Sequence, residues 1–131
     1  MKKYIFSLIA VLALGLFYGC DQSDQASTDE IKIGVILGFT GPIESLTPTM
    51  ASSAELAMKE VSDSGLLLGG AKVSSVRADS TCVDAGAATS AAERLVTSDN
   101  VAAIMGADCS GVTTAIANNV AVPNGVTIIS P

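Results

Sequence analysis

Two cysteines and a serine are the residues of this chain best placed to do chemistry. Cys82 and Cys109 each follow closely on an apolar stretch, the first ending at Ala78 and the second at Met105, and Ser110 comes next. Between them, DAGAATSAAERLV reads as a helix. The segment Ala78 to Val112 is therefore a strand end, a helix, a second strand and the loop opening another helix. In parallel α/β sheets the loops after the C-terminal strand ends gather on one edge, and ligands bind in the crevice there. Two thiols on two such loops are placed to staple that rim with a disulfide; the alternative is two unrelated buried thiols. Ser110 stands at a helix start, where free N–H groups and the positive end of the dipole welcome a carboxylate. Capping of its own helix is an equal reading of Ser110, and both roles can coexist.

The compartment decides whether a disulfide is permissible, and the N-terminus speaks to it. MKKYIFSLIAVLALGLFYGC opens with basic Lys2 and Lys3, continues with an apolar run from Ile5 to Leu16, and ends with Gly19 before Cys20. The run is shorter than the ~20 residues a bilayer-spanning helix needs, so it reads as a secretory signal. The Gly-Cys ending resembles the lipobox of bacterial lipoproteins, in which the cysteine is lipidated and becomes the mature N-terminus. Phe17 and Tyr18 depart from that pattern, which usually carries smaller residues there; an uncleaved anchor is the alternative. Either way the body is expected outside the cytoplasm, where disulfides persist. Cys20 is thus assigned to lipid, and Cys82 and Cys109 to each other.

Asp21 to Glu30, DQSDQASTDE, holds four acids and a single apolar residue, and is expected to be a disordered tether. All 13 acidic residues lie after Cys20 with only five of the seven basic ones, a net charge of −8 for the mature chain. Nucleic acid is excluded as a partner, because its phosphates need clustered Lys and Arg.

The elements that must position the rim start at Ile31. IKIGVILGF is rich in β-branched residues and fits a central strand buried on both faces. Thr40-Gly41-Pro42 breaks it. Thr47 is expected to cap a helix with Pro48 at its first position, Met50, Ala54, Ala57, Met58 and Val61 forming its inner face and Gly65 ending it. A second strand spans Lys72 to Ala78. Asp84 caps the next helix, whose stripe is Ala85, Ala88, Ala92, Leu95 and Val96. Val101 to Met105 is the third strand, Val112, Ile116 and Val120 mark a short third helix, and Val126 to Ser130 is the fourth strand. Strict β-α alternation predicts a parallel sheet with right-handed crossovers. Sixteen alanines between Ile31 and Pro131 would let the helices lie close to it. With strand order 2-1-3-4, the second and third strands flank the first at ~9–10 Å, so the cysteine loops must lean across its end.

Enzyme readings fare poorly. No histidine is present, which removes Ser-His-Asp, Cys-His and histidine-metal arrangements, and no metal or cofactor site is indicated. GFTGP after the first strand is neither a dinucleotide fingerprint nor a phosphate-binding loop. Glu55 and Glu60 read as solvated surface. Phe39, the only aromatic residue after Cys20, is expected to join the core rather than line a pocket.

IKIGVILGFTGP, SDSGLLLGGAKVSSVRADSTC, AAERLVTSDNVAAIMGADCSG and GVTIISP, in that order, resemble the first lobe of type I periplasmic solute-binding proteins. The nearest branch is the branched-chain amino acid (Leu/Ile/Val) group of ABC transporters. The resemblance implies a three-layer α/β lobe of flavodoxin-like type with a parallel sheet. It reads residues 31–131 as part of the first of two lobes that close on a small amino-acid-like ligand, the chain ending after the fourth strand. It implies that Ser110 binds the ligand's carboxylate, that Asp108 and Cys109 line the pocket, and that Leu46 takes a place often held by an aromatic. Asp108 is awkward beside a carboxylate, and is expected either to face solvent or to favour an ammonium group. The implied protein is a monomeric, lipid-anchored binding protein of the periplasm or cell envelope, working with an ABC transporter permease. A sensor domain of the same fold is the main alternative, and an exported flavodoxin-like enzyme a more distant one.

Overall fold

The computed structural model describes residues 30–131. The signal segment 1–20, Cys20 and tether residues 21–29 lie outside them. Along the chain come β1 (Glu30–Leu37), α1 (Thr47–Ser64), β2 (Lys72–Asp79), α2 (Ala85–Thr97), β3 (Ala103–Gly106), α3 (Ser110–Ile116) and β4 (Thr127–Ile129). A π turn, Ala117–Ala121, prolongs α3. Glu30, assigned above to the tether, instead opens β1, where it pairs with Lys72. The strands form one parallel sheet in the order β2-β1-β3-β4, as the alternation predicts.

Successive residues of β1 point to opposite faces, and the core divides accordingly. Ile36 packs with Ala88, Ala92 and Leu95 of α2, Val112 and Ile116 of α3, and Val120, on one face. Val35 and Leu37 meet Ala51 on the other, with Phe39, Met50 and Met58 at the margin. That gives three layers: α1, the sheet, and α2 with α3. Small residues let them approach closely. A methyl group at Gly34 would stand 2.9 Å from Leu95 Cδ1.

Helix α2 begins as expected, Asp84 accepting the N–H groups of Gly86 and Ala87 at 2.9 Å each. Its stripe is Ala88, Ala92 and Leu95, with Val96 half-buried; Ala85 is exposed, a correction. Helix α1 differs more. Its cap position is Leu46, which provides no side-chain bond, while Thr47 lies inside the helix and is fully buried. The Thr47 hydroxyl donates to Gly38 O at 3.1 Å and to Glu44 O at 3.4 Å, fastening the helix start to the end of β1. At the far end buried Ser62 accepts the Val73 N–H at 2.7 Å. The inner face thus runs Thr47, Ala51, Met58, Ser62; Ala57 and Val61 are exposed. Two hydroxyls replace the apolar residues that periodicity would put at the helix ends. They satisfy backbone groups that burial would otherwise leave unpaired.

Candidate functional site

The site is built where β1, β2 and β3 end together. Leu37 pairs with Asp79 and Ile36 with Gly106, so the three outgoing loops start side by side. Cys82 and Cys109 are joined by a disulfide with a Cα–Cα distance of 5.3 Å across a sequence separation of 27. The two loops do lean across the end of β1, and Gly38 lies beneath them. A methyl group there would come within 3.2 Å of Cys82 Cβ. Replacing both cysteines by serine is expected to lower the unfolding free energy by ~3.5 kcal/mol, the closure entropy of a loop of about 28 residues. Urea unfolding of the double variant beside the oxidised parent measures this, and equal midpoints would speak against the staple.

Two carboxylates reinforce it. Asp108 accepts the Gly38 N–H with both oxygens, at 3.0 and 3.2 Å, and the hydroxyl of fully buried Ser80 at 3.5 Å. It therefore ties the β3 loop to those of β1 and β2. Asp79 accepts the Thr40 hydroxyl at 2.6 Å, the Thr40 N–H at 3.3 Å and the Thr81 N–H at 2.8 Å. Burial opposes the charged form of Asp79. The Thr40 hydroxyl and the N–H groups of Thr81, Thr40 and Phe39 outweigh that cost and hold its carboxyl below the usual value. Beyond it, Thr81 and Cys82 adopt left-handed backbone angles, φ 57° and 69°. For β-branched Thr81 that conformation is strained, and such strain persists only where neighbours over-determine it. Asp79 and the disulfide do so here.

Ser110 is exposed at the first position of α3. The cap position before it belongs to Cys109, extended at φ −115° and ψ 124° and making no side-chain cap bond. Capping, the alternative role for Ser110, is thus not what the geometry provides. Asp108, Cys109 and Ser110 are brought to one rim with Cys82, while Leu46 closes the β1–α1 loop, 61% exposed.

Sequence reasoning missed Asp79, Ser80 and Thr40 as rim residues. Their signal was a strand ending in Asp-Ser-Thr opposite a Thr-Gly turn, a combination suited to side-chain-to-backbone bonds. It also misread Glu55, which is no free surface acid. The Arg77 guanidinium pairs with it at 2.7 and 2.8 Å and Ser75 donates at 3.0 Å. Arg77, despite partial burial, holds the Glu55 carboxyl below its ordinary value. Arg77 also lies over the Phe39 ring, 5.5 Å from its centroid, while Phe39 packs at the margin of the α1-side core. An open groove of about 240 Å³ between α1 and β2 is lined by Glu55, Met58, Lys59, Ser62, Lys72 and their neighbours. Its charges are already engaged, Glu55 by Arg77, Lys59 by Asp63 and Lys72 by Ser62 O. Among the described residues no helix is long and apolar enough to cross a membrane.

A family model described as periplasmic binding protein matches residues 30–131. Leu/Ile/Val-binding protein homolog 7 of Brucella abortus is 35% identical over 112 residues, 85% of this chain and 25% of that protein. The branched-chain amino acid transporter substrate binding protein LivJ from Streptococcus pneumoniae, solved with isoleucine, is 31% identical with a TM-score of 0.70. That match covers 79% of this chain and 29% of the other. An ABC transporter substrate-binding protein from Desulfitobacterium hafniense, solved with Leu, is 27% identical with a TM-score of 0.66, over 79% of this chain and 29% of that one. The chain thus spans about a quarter of the length of the curated relatives it matches.

Proposed function

Because this chain belongs to the periplasmic binding protein family, we propose that it forms part of the first lobe of an extracytoplasmic binding protein that captures a small amino-acid-like ligand for an ABC transporter. One observation carries the reading. Ser110 stands exposed at a helix start that no side chain caps, on a rim locked by the disulfide and two carboxylates. Such a rim is preorganised: a carboxylate entering it meets donors already in place, and no loop has to be ordered at the moment of binding. Cys109 supplies backbone and disulfide wall beside it, and Leu46 an apolar surface on the opposite loop. Asp108 is occupied by Gly38 and Ser80, so its contribution is to hold the wall and to bring negative charge near the ligand's ammonium group. Amino acids are the favoured class within a range that includes amides and urea, since the Streptococcus pneumoniae and Desulfitobacterium hafniense proteins hold isoleucine and Leu. A second lobe closes on the ligand, a permease receives it, and the binder works as a monomer.

Ser110→Ala in the full-length protein tests the reading. It removes one charge-assisted hydrogen bond and is expected to cost roughly 1.5–3 kcal/mol, or about ten- to a hundredfold in affinity. Calorimetric titration with leucine, isoleucine and valine reads it out, and an unchanged affinity would remove Ser110 from the site.

The N-terminus completes the proposal. Residues 1–20 are a lipoprotein signal, Cys20 is the lipidated mature terminus, and 21–29 tether the lobe to the membrane. The mature protein is expected to begin at a diacylated Cys20, which mass spectrometry of the N-terminal peptide would detect. A free Cys20 thiol, or an intact Met1, would defeat the anchor.

A further inference from the structure

We propose that Asp79 is a positioning residue for ligand capture, setting the path of the β1–α1 loop and of the β2–α2 loop together while touching no ligand itself. The proposal rests on the reading of this rim as a ligand site. Asp79 is the last residue of β2 and pairs in register with Leu37, the last of β1. Beyond that pair only the Ser80 N–H to Leu37 O bond, 2.9 Å, continues the ladder, and the two loops share no further backbone hydrogen bond. Each then needs another source of order. The carboxylate supplies it to both, holding Thr40 of one loop by hydroxyl and N–H and Thr81 of the other by N–H.

The consequences run in two directions. In the β1–α1 loop, residues 38–46, Gly38 is already fixed, its N–H by Asp108 and its carbonyl by Thr47. Thr40 on Asp79 sets the direction of the next step. Gly41 then passes so close to the other loop that a methyl group on it would lie 2.5 Å from Thr81 O. Leu46 ends this loop, exposed. In the β2–α2 loop, Thr81 and Cys82 keep their left-handed angles, and Cys82 carries the disulfide to Cys109, the neighbour of Ser110. One carboxylate therefore connects the segment bearing Leu46 with the segment bearing Ser110. The Glu55–Arg77 pair cannot substitute for it, because Arg77 lies over Phe39 and makes no bond to Thr40 or Thr81. The lowered proton affinity of the Asp79 carboxyl agrees with a group engaged by several donors rather than left facing solvent.

The test uses the full-length protein carrying Asp79→Ala, Asp79→Asn or Thr40→Val. Affinity for leucine, isoleucine and valine is measured by calorimetry well below the melting temperature, and hydrogen exchange is followed in the ligand-free protein. Asp79→Ala is expected to weaken binding about tenfold, the effect of one charge-assisted bond, and to speed exchange in 38–46 and 80–84 together. Asp79→Asn keeps an oxygen for the two N–H groups and an amide for the Thr40 hydroxyl, so it is expected to restore most of the affinity. Thr40→Val should fall between, and carries the test if the alanine variant fails to fold. Parent-like affinity in Asp79→Ala with only a lower melting temperature would make Asp79 merely structural and overturn the proposal. So would an asparagine variant as weak as the alanine one. If the parent binds none of the three amino acids, the branched-chain amino acid reading fails by itself. The exchange experiment then decides whether Asp79 orders both loops, and exchange unchanged in either loop overturns that role too.

Discussion

Gly106→Ala is expected to destabilise the lobe severely. Gly106 is the last residue of β3 and pairs with Ile36 at the centre of the sheet, with φ at +125°, a region that side chains other than hydrogen rarely enter. A methyl group there would lie 1.9 Å from the carbonyl oxygen of Ile36 and 2.9 Å from its carbon. Those atoms belong to the buried backbone of the central strand and cannot swing aside as a side-chain tip could. Relief requires β3 to separate from β1, which removes sheet pairing and core packing together. The loss should exceed ~4 kcal/mol, in the range reserved for backbone clashes and cavities, against a total stability of about 5–15 kcal/mol. Gly65→Ala is the control. Its φ is also positive, +66°, yet nothing lies within 4 Å of the added methyl, so the cost should be only ~1–2 kcal/mol. Urea unfolding of both variants separates the two cases, and comparable midpoints would contradict the packing described for β3. The effect reaches the site as well, because Gly106 launches the segment Ala107 to Ser110.

The features legible in the sequence were those written in apolar runs and in residues of special chemistry. Four strands, their order, Asp84 as a cap, Ala88, Ala92 and Leu95 of α2, the inner residues of α3 and the cysteine pair all follow from such signals. Helix α1 was read less well because its inner face is partly polar. Thr47 and Ser62 are buried for the backbone groups they bind, and hydrophobic periodicity has no means of seeing a hydroxyl facing inward. Apolar spacing points instead to Ala57 and Val61, and both lie on the solvent side. The rim divided the same way. Cys109 and Ser110 announced themselves by type and place, whereas Asp79, Thr40 and Ser80 became visible only once β1 and β2 were laid side by side. Their bonds cross 39 and 28 positions of sequence, beyond the reach of any local pattern. Asp108 was expected either to face solvent or to favour an ammonium group; its protein partners, Gly38 and Ser80, were not foreseen.

A second large effect follows from the proposal that the rim is one wall of a two-walled site. A ligand resting on it keeps water on its open side. Each hydrogen bond there then acts in a higher effective dielectric and is worth less than in a closed cavity. In that proposal the wall also supplies only part of the polar contacts. If half the binding energy of a micromolar complex is lost, about 4 kcal/mol remains, which corresponds to millimolar affinity. The span 21–131 by itself is therefore expected to bind amino acids some thousandfold more weakly than the full-length protein, although its rim carries the same disulfide and carboxylate ties.

Calorimetric titration of leucine, isoleucine and valine into the full-length protein and into 21–131 decides whether the rim is one wall of a closing site. The full-length protein is expected to bind at least one of the three with micromolar affinity, and the shorter span no more tightly than millimolar. Micromolar binding by 21–131 alone would contradict it, because the rim would then be a complete site rather than one wall of a closing one.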